Sequence, residues 1–341
     1  MIYMEYVKIR YLIIHQVGNK LSMDGVKLSN QAIVLTDELN EILVKHFLTP
    51  FRDRIDMQFK APLENNNVYR LVKDVFTNPS LFIGYSQDLA KLLYENSTYS
   101  KISNGEFYVV YFKDCVVGNR TSDAIGLFKT EQKTPFLKIT SVHDGYSIEE
   151  EYGLNFKHFE KACLIFNVNG PTGYQISIID KASKDTESNY WTESFLQVKR
   201  RKTNNTQTEN LFELCKCFVS QLKETDESQK AKMVYNAFSM LKESERVISL
   251  QNFQEDVFGN QHLSKDFEEY RKEEQSIRQI EMDEEFEIDS STLKKTGLKK
   301  LTTIHLDDSF DLVIKENSDL EKGFDEIRQK QFYKLYFEKE K

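Results

Sequence analysis

Between residues 105 and 180 the hydrophobic period falls from 3.6 to 2, and this switch constrains the fold more than any other feature of the chain. Five short runs rich in β-branched and aromatic residues, 107–112, 124–133, 136–143, 162–167 and 174–179, are separated by Gly, Asn, Asp and Pro. Parallel neighbours need a crossover helix between them, so five consecutive strands without such connections predict a largely antiparallel sheet. Within the second run, Phe128, Thr130 and Gln132 alternate with Lys129, Glu131 and Lys133, which predicts a partly polar, solvated sheet face.

The flanking segments read differently. Residues 6–16, rich in Val, Ile and Tyr, predict a strand that stops at a Gly18-Asn19 turn. Leu39, Ile42, Leu43, His46 and Phe47 recur at helical spacing, with Thr36 and Asp37 as caps and a stop before Pro50. Leu89, Leu92 and Leu93 predict a second helix over 86–96, capped by Ser86. Residues 61–85 carry no clear period.

From about residue 208 the chain turns helical. Leu211, Leu214, Cys215, Phe218, Val219 and Leu222 share one stripe, and Met233, Ala237, Met240 and Leu241 share another after a polar break, which predicts an antiparallel helix pair. Eleven acidic residues fall between Asp266 and Asp289, predicting a solvated helix that runs into a strand. Segments 286–288, 301–306 and 310–314 predict a small terminal sheet with Asp307-Asp308 as a turn. The expected class is therefore α+β: a mixed N-terminal region, a mostly antiparallel central sheet, a helical segment and a small C-terminal β-containing module. The expected domains are 1–205 and 206–341.

With 341 residues, 24 Phe, 17 Tyr and 40% hydrophobic content, the chain has ample material for a core, unlike aromatic-poor disordered sequences. No apolar run approaches a membrane span; the longest near the start, 11–14, follows Lys8 and Arg10 and reads as neither signal peptide nor anchor. Cys115, Cys163, Cys215 and Cys217 make no disulfide framework and read as reduced thiols of a cytoplasmic protein. The balance of 46 basic against 54 acidic residues, net −8, argues against a basic coat over the whole surface but leaves room for a local patch.

Tests for catalytic chemistry return little. Neither phosphate-binding glycine loop occurs, nor a nucleophile elbow, and no cofactor is expected. His15, His46, His143, His158, His262 and His305 form no helix-face metal pair. His15, ending an apolar strand, reads as a hydrogen-bonded structural residue, and Cys215 as core packing. Glu131-Gln132-Lys133, following Asp114 and Asp123, matches the bare E-x-K element of magnesium-dependent nucleases, in which carboxylates hold the metal and lysine polarises water. Strand alternation accounts for the same residues without chemistry, so the expectation is a protein that is not an enzyme, with the nuclease as the alternative.

Two basic clusters remain. Lys199, Arg200, Arg201 and Lys202 interrupt a polar loop, where four adjacent cations demand solvation or a polyanion. Lys294, Lys295, Lys299 and Lys300 surround Gly297 between two predicted strands. Both sets suit phosphate contacts that read no sequence; the plainer reading of each is a solvated surface loop.

Several motifs, in serial order, carry a family resemblance. They are 15–20 (HQVGNK), 47–51 (FLTPF), 105–107 (GEF), 124–133 (AIGLFKTEQK), 161–167 (KACLIFN), Ile179-Asp180 and Tyr190-Trp191, then Lys294-Lys295, 303–307 (TIHLD) and 333–337 (YKLYF). Together they resemble the bacterial nucleoid-associated protein family NdpA over nearly the whole chain. The resemblance implies a cytoplasmic, nucleoid-bound protein that binds double-stranded DNA in an architectural or regulatory role, with no established catalytic activity. It supplies no set of DNA-contacting residues. The alternative partner is a DNA-handling enzyme engaged through the acidic stretch; no membrane partner is expected, and the sequence leaves the oligomeric state open.

Overall fold

The computed structural model describes residues 2–3, 6–51, 55–131, 133–153, 159–180, 190–242, 246–295, 302–313, 320–336 and 339. It comprises two compact units, Met1–Arg201 and Lys202–Lys341. The architecture is mixed α+β, with a large antiparallel sheet, a helical segment and small C-terminal strands.

The first unit contains, in chain order, β1 (Ile2–Tyr3), β2 (Lys8–Val17), β3 (Val26–Lys27), α1 (Asp37–Leu48), β4 (Met57–Phe59), α2 (Asn67–Thr77) and α3 (Phe82–Asn96). There follow β5 (Gly105–Val117), β6 (Arg120–Thr130), β7 (Thr134–Val142), β8 (Gly145–Gly153), β9 (Lys161–Phe166), β10 (Gln175–Asp180) and β11 (Val198–Arg200), with a wide helical turn at Tyr190–Leu196 before the last. Nine strands form one sheet in the order β11-β4-β10-β9-β6-β5-β2-β3, with β1 on β5. Every pairing in it is antiparallel.

Period-two alternation divides the sheet's side chains between two cores. Phe107, Val109 and Tyr111 of β5 join Leu127 and Ile165 on one face, against α2 and α3 through Val68, Val72, Leu89 and Leu93. Tyr108, Val110 and Phe112 point the other way with Phe128 and Leu164, against Val44, Phe47 and Leu48 of α1. Because helices cover both faces, both sets of alternating residues are apolar. This overturns the expected solvated face around Lys129: Lys129 and Thr130 are buried. Only Lys133 of that set is exposed, and Gln132 lies outside the described residues.

The antiparallel sheet is as the period predicts, with one departure. The run at 136–143 leaves it and pairs, as β7, with β8, a strand not foreseen, making a separate two-stranded ribbon inserted between β6 and β9. Gly105, which starts β5, has a backbone reason for its identity: a Cβ there would stand 1.9 Å from the Thr130 carbonyl oxygen.

Helix starts follow side-chain capping. The Thr36 hydroxyl accepts from the Leu39 amide at 3.3 Å, as expected for α1. Ser86 is no cap. Helix α3 begins four residues earlier at Phe82, and the Ser86 hydroxyl is buried, donating to the Ile83 carbonyl at 2.6 Å.

The second unit contains α4 (Asn204–Gln221), α5 (Glu227–Lys242), β12 (Val247–Ser249), α6 (Leu250–Phe258), α7 (Gln261–Arg278), β13 (Glu285–Glu287), β14 (Thr303–Leu306), β15 (Phe310–Val313), β16 (Leu320–Asp325) and β17 (Lys330–Leu335). Helix α4 opens four residues before Thr208, because Thr203 and Thr206 form a reciprocal capping box. Its stripe, including Cys215, packs with α5, α6 and α7 into one core. The terminal strands do not share a sheet: β13 pairs with β12 and sends Phe286 into the helical core, whereas β14–β15 and β16–β17 are separate hairpins. Positions 301 and 314, expected at strand ends, lie outside the described residues.

Candidate nucleic-acid interface

Half of the first basic cluster, Lys199 and Arg200, lies on a strand rather than in a loop, and Arg201 and Lys202 follow in irregular chain before α4. Val198–Arg200 is β11, the terminal strand of the nine-stranded sheet, and it pairs residue for residue with β4: Lys199 lies opposite Gln58 and Arg200 opposite Met57. The Arg201 amide extends this ladder by donating to the Asp56 carbonyl at 2.7 Å. The strand pairing therefore orders the backbone of Lys199, Arg200 and Arg201.

Each cation has local company. The Arg200 guanidinium meets the Asp56 carboxylate at 3.2 Å, and Arg201 donates to the Ile55 carbonyl at 3.4 Å. Burial draws the Arg201 guanidinium below its usual pKa, with Asp56 acting in the opposite direction. Lys202 pairs with Asp283 at 2.7 Å; that hydrogen bond raises the lysine and lowers the carboxylate. Lys199, Arg200 and Arg201 are half-buried and Lys202 is exposed. Sequence reading missed the two counter-charges, which lie far away in the chain and carry no local signal. A phosphate here would compete with Asp56 and Asp283, so this surface is attenuated compared with four bare cations.

The second cluster is only partly placed. Lys294 and Lys295 fall in a 3-10 turn, Ser290–Lys295, whose Leu293 is buried in the helical core. Lys299 and Lys300 lie outside the described residues.

The nuclease constellation is not assembled. Glu131 receives the Lys129 ammonium at 2.8 Å and the Ser103 amide at 3.0 Å, while Lys133 pairs with Glu106 at 2.7 Å. Asp123 binds Tyr111 and Lys113 near the opposite end of β6. Eight residues of extended chain set it on the order of 25 Å from Glu131, and Asp114 follows Phe112, the partner of Ala124, at the same distant end. No one metal ion reaches across that span. Among the described residues, no group of three or more His, Cys, Asp or Glu is arranged to hold a metal.

His15 is a structural residue. It is buried, its Nδ1 accepts the Ser29 amide at 3.1 Å, and its Nε2 lies 3.1 Å from the Ser86 hydroxyl. With Nδ1 as acceptor, the proton resides on Nε2 and is donated to the Ser86 hydroxyl oxygen, while that hydroxyl donates to the Ile83 carbonyl. Burial lowers the His15 pKa to about 4. Asn19 is buried too, donating to the Tyr99 and Ile102 carbonyls at 2.7 and 2.8 Å. It clamps the turn to the segment between α3 and β5.

The acidic helix α7 neutralises much of its own charge. Glu268 pairs with Lys272 at 2.5 Å, and Glu274 with Arg278, both four residues apart. The exposed residues that follow, Asp283, Glu284, Glu285 and Glu287, make a more open negative surface. A cleft of about 680 Å³ beside α7 is lined by Gln251, Glu255, Lys265, Glu268 and Arg271, a mixture of both signs that favours no single charge of ligand. No described helix is long and apolar enough to cross a membrane.

No curated protein matches the chain. A family model described as nucleoid-associated protein YejK matches residues 13–331. That span runs from within β2 to within β17 and takes in both compact units, and the chain accordingly belongs to the YejK family of nucleoid-associated proteins.

Proposed function

We propose that the protein acts at the bacterial nucleoid by binding double-stranded DNA, largely without reading sequence, in an architectural or regulatory role. The observation that carries this reading is the family match across 13–331. The narrower likeness to NdpA, resting on the serial motifs, belongs to the same reading. Candidate phosphate contacts are Lys199, Arg200, Arg201 and Lys202, with Lys294, Lys295, Lys299 and Lys300. Contacts of this kind position a protein on the duplex and release counterions, so affinity falls steeply with salt. The net charge of −8 is unevenly spread, with eleven acidic residues in 266–289, and one of these, Asp283, reaches Lys202 and would have to yield to a phosphate there.

Filter binding to a duplex at several salt concentrations tests it. The parent should show a negative slope of log affinity against log salt. Replacing the four residues 199–202 by Gln should flatten that slope by as much as about 3.6, at about 0.9 per lost phosphate contact. Salt-independent binding, or an unchanged slope in variants of both clusters, rules out phosphate contacts by these residues.

A second reading is favoured by the exposed carboxylates of Glu284, Glu285 and Glu287. They suit a basic surface on a DNA-handling enzyme, which would make nucleoid association indirect. Purified protein that fails to retard DNA yet co-purifies with nucleoids would favour it.

A further inference from the structure

The β7–β8 ribbon is amphipathic, and its apolar face is uncovered. Register places Pro135 opposite Tyr152, Leu137 opposite Glu150, Ile139 opposite Ile148 and Ser141 opposite Tyr146, so these eight residues share one face. The other face carries Phe136 and Val142, about half exposed, among the polar Lys138, Thr140, Ser147, Glu149 and Glu151, with Lys138 and Glu151 paired at 2.8 Å. On the first face Leu137, Ile139, Tyr146, Ile148 and Tyr152 are each 62–77% exposed. None of the ribbon's residues enters any buried core. An isolated two-stranded ribbon is marginal in water and gains independent stability when an apolar face is packed.

We propose that this face is a self-association surface, on which a second copy of this chain stacks its own ribbon about a two-fold axis. Charge argues against DNA as the occupant: one lysine, Lys138, stands against Asp144, Glu149, Glu150 and Glu151, a net of −3 over 134–153 that repels phosphate. Geometry favours self-pairing. The rungs lie symmetrically about the Lys138–Glu149 rung, so a tip-to-base stack sets Tyr146 against the other copy's Tyr152, Ile139 against its Leu137 and Ile148 against its Glu150. Glu149 and Glu151 then stay on the outer, solvated faces. Glu150, the one charge on the apolar face, already accepts a hydrogen bond from the Tyr152 hydroxyl at 3.1 Å. The five exposed apolar side chains at on the order of 100 Å² each give about 500 Å² per copy, and about 1,000 Å² for the pair, which is at the threshold for a specific interface.

Sedimentation equilibrium of the full chain from about 1 to 100 µM tests the proposal. The parent should show a mass approaching twice 40.1 kDa at the upper end. Tyr146→Ser/Ile148→Ser, and separately Leu137→Ser/Ile139→Ser, should weaken self-association at least tenfold with circular dichroism unchanged. Thr140→Ala on the opposite face should leave it intact. A parent that stays monomeric at 100 µM overturns the proposal, as does a dimer untouched by both apolar-face variants. A monomeric parent whose DNA affinity falls in the apolar-face variants would overturn it in favour of nucleic acid as the occupant.

Discussion

His15 shows how a polar residue inside a core can act as a stability element. Its folded pKa of about 4 lies below the ordinary 6.5, so the unfolded chain binds the proton more readily. The contribution is complete above pH 6.5 and is lost as pH falls from there toward 4, on the order of 2–3 kcal/mol in all. Urea titrations at a series of pH values should show the parent losing more stability than His15→Gln over that window; parallel curves refute the assignment. Lys129 is a different case, a buried ammonium whose pKa is lowered by burial and held up by Glu131. Glu131→Ala strands that charge and should cost about 3–5 kcal/mol in urea unfolding. Lys129→Met/Glu131→Gln, which removes both charges, should recover most of the loss. Sequence alternation alone assigned Lys129 to solvent, because period two says which residues share a face but not whether a helix covers it. Its coverage depends on contacts made by elements distant in the chain.

At the scale of elements, legibility tracked how local the determining interaction is. Helix α1 could be read from Thr36 through Leu48 since its cap, stripe and stop lie within sixteen residues. Helix α2 could not, although Asn66 caps it through the Tyr69 amide at 2.9 Å, because much of what holds it is packing of Val68, Val72 and Val75 against the sheet. The exit of 136–143 from the central sheet was equally hidden, since a strand's partner is set by register with residues elsewhere. Because the β7–β8 ribbon enters no core, replacing residues 134–153 by a short Gly-Ser linker should shift the melting temperature by no more than about 2 °C, on the general rule that substitutions away from buried features cost little. Calorimetry would read this directly, and a fall of 8 °C or more would show that the ribbon supports the sheet. The basic tetrad was found as a cluster but misplaced, because four cations in a row suggest solvent, whereas β4 supplies a strand partner and Asp56 a counter-charge.

At the scale of the molecule, each compact unit has its own buried core: the cores on either side of the large sheet belong to the first, and the α4–α7 core to the second. We propose that the units are separate folding domains. A fragment ending at Arg201 should then melt in one cooperative transition by circular dichroism, and a broad, non-cooperative loss of signal would contradict this. The family was legible at this scale through serial order: no one motif was diagnostic, but their sequence along the chain pointed to the nucleoid-associated class that the family match supports.

The sheet's last strand has a further consequence. Among the described residues β11 is the last strand of the sheet, and an end strand is where a sheet can take on a further extended chain. Cations at Lys199 and Arg200 make two such edges repel, so the residues proposed as phosphate contacts would also oppose growth of the sheet by aggregation. Stripping their charge removes that guard, and a neutral variant that loses DNA affinity is informative only in preparations free of higher aggregates.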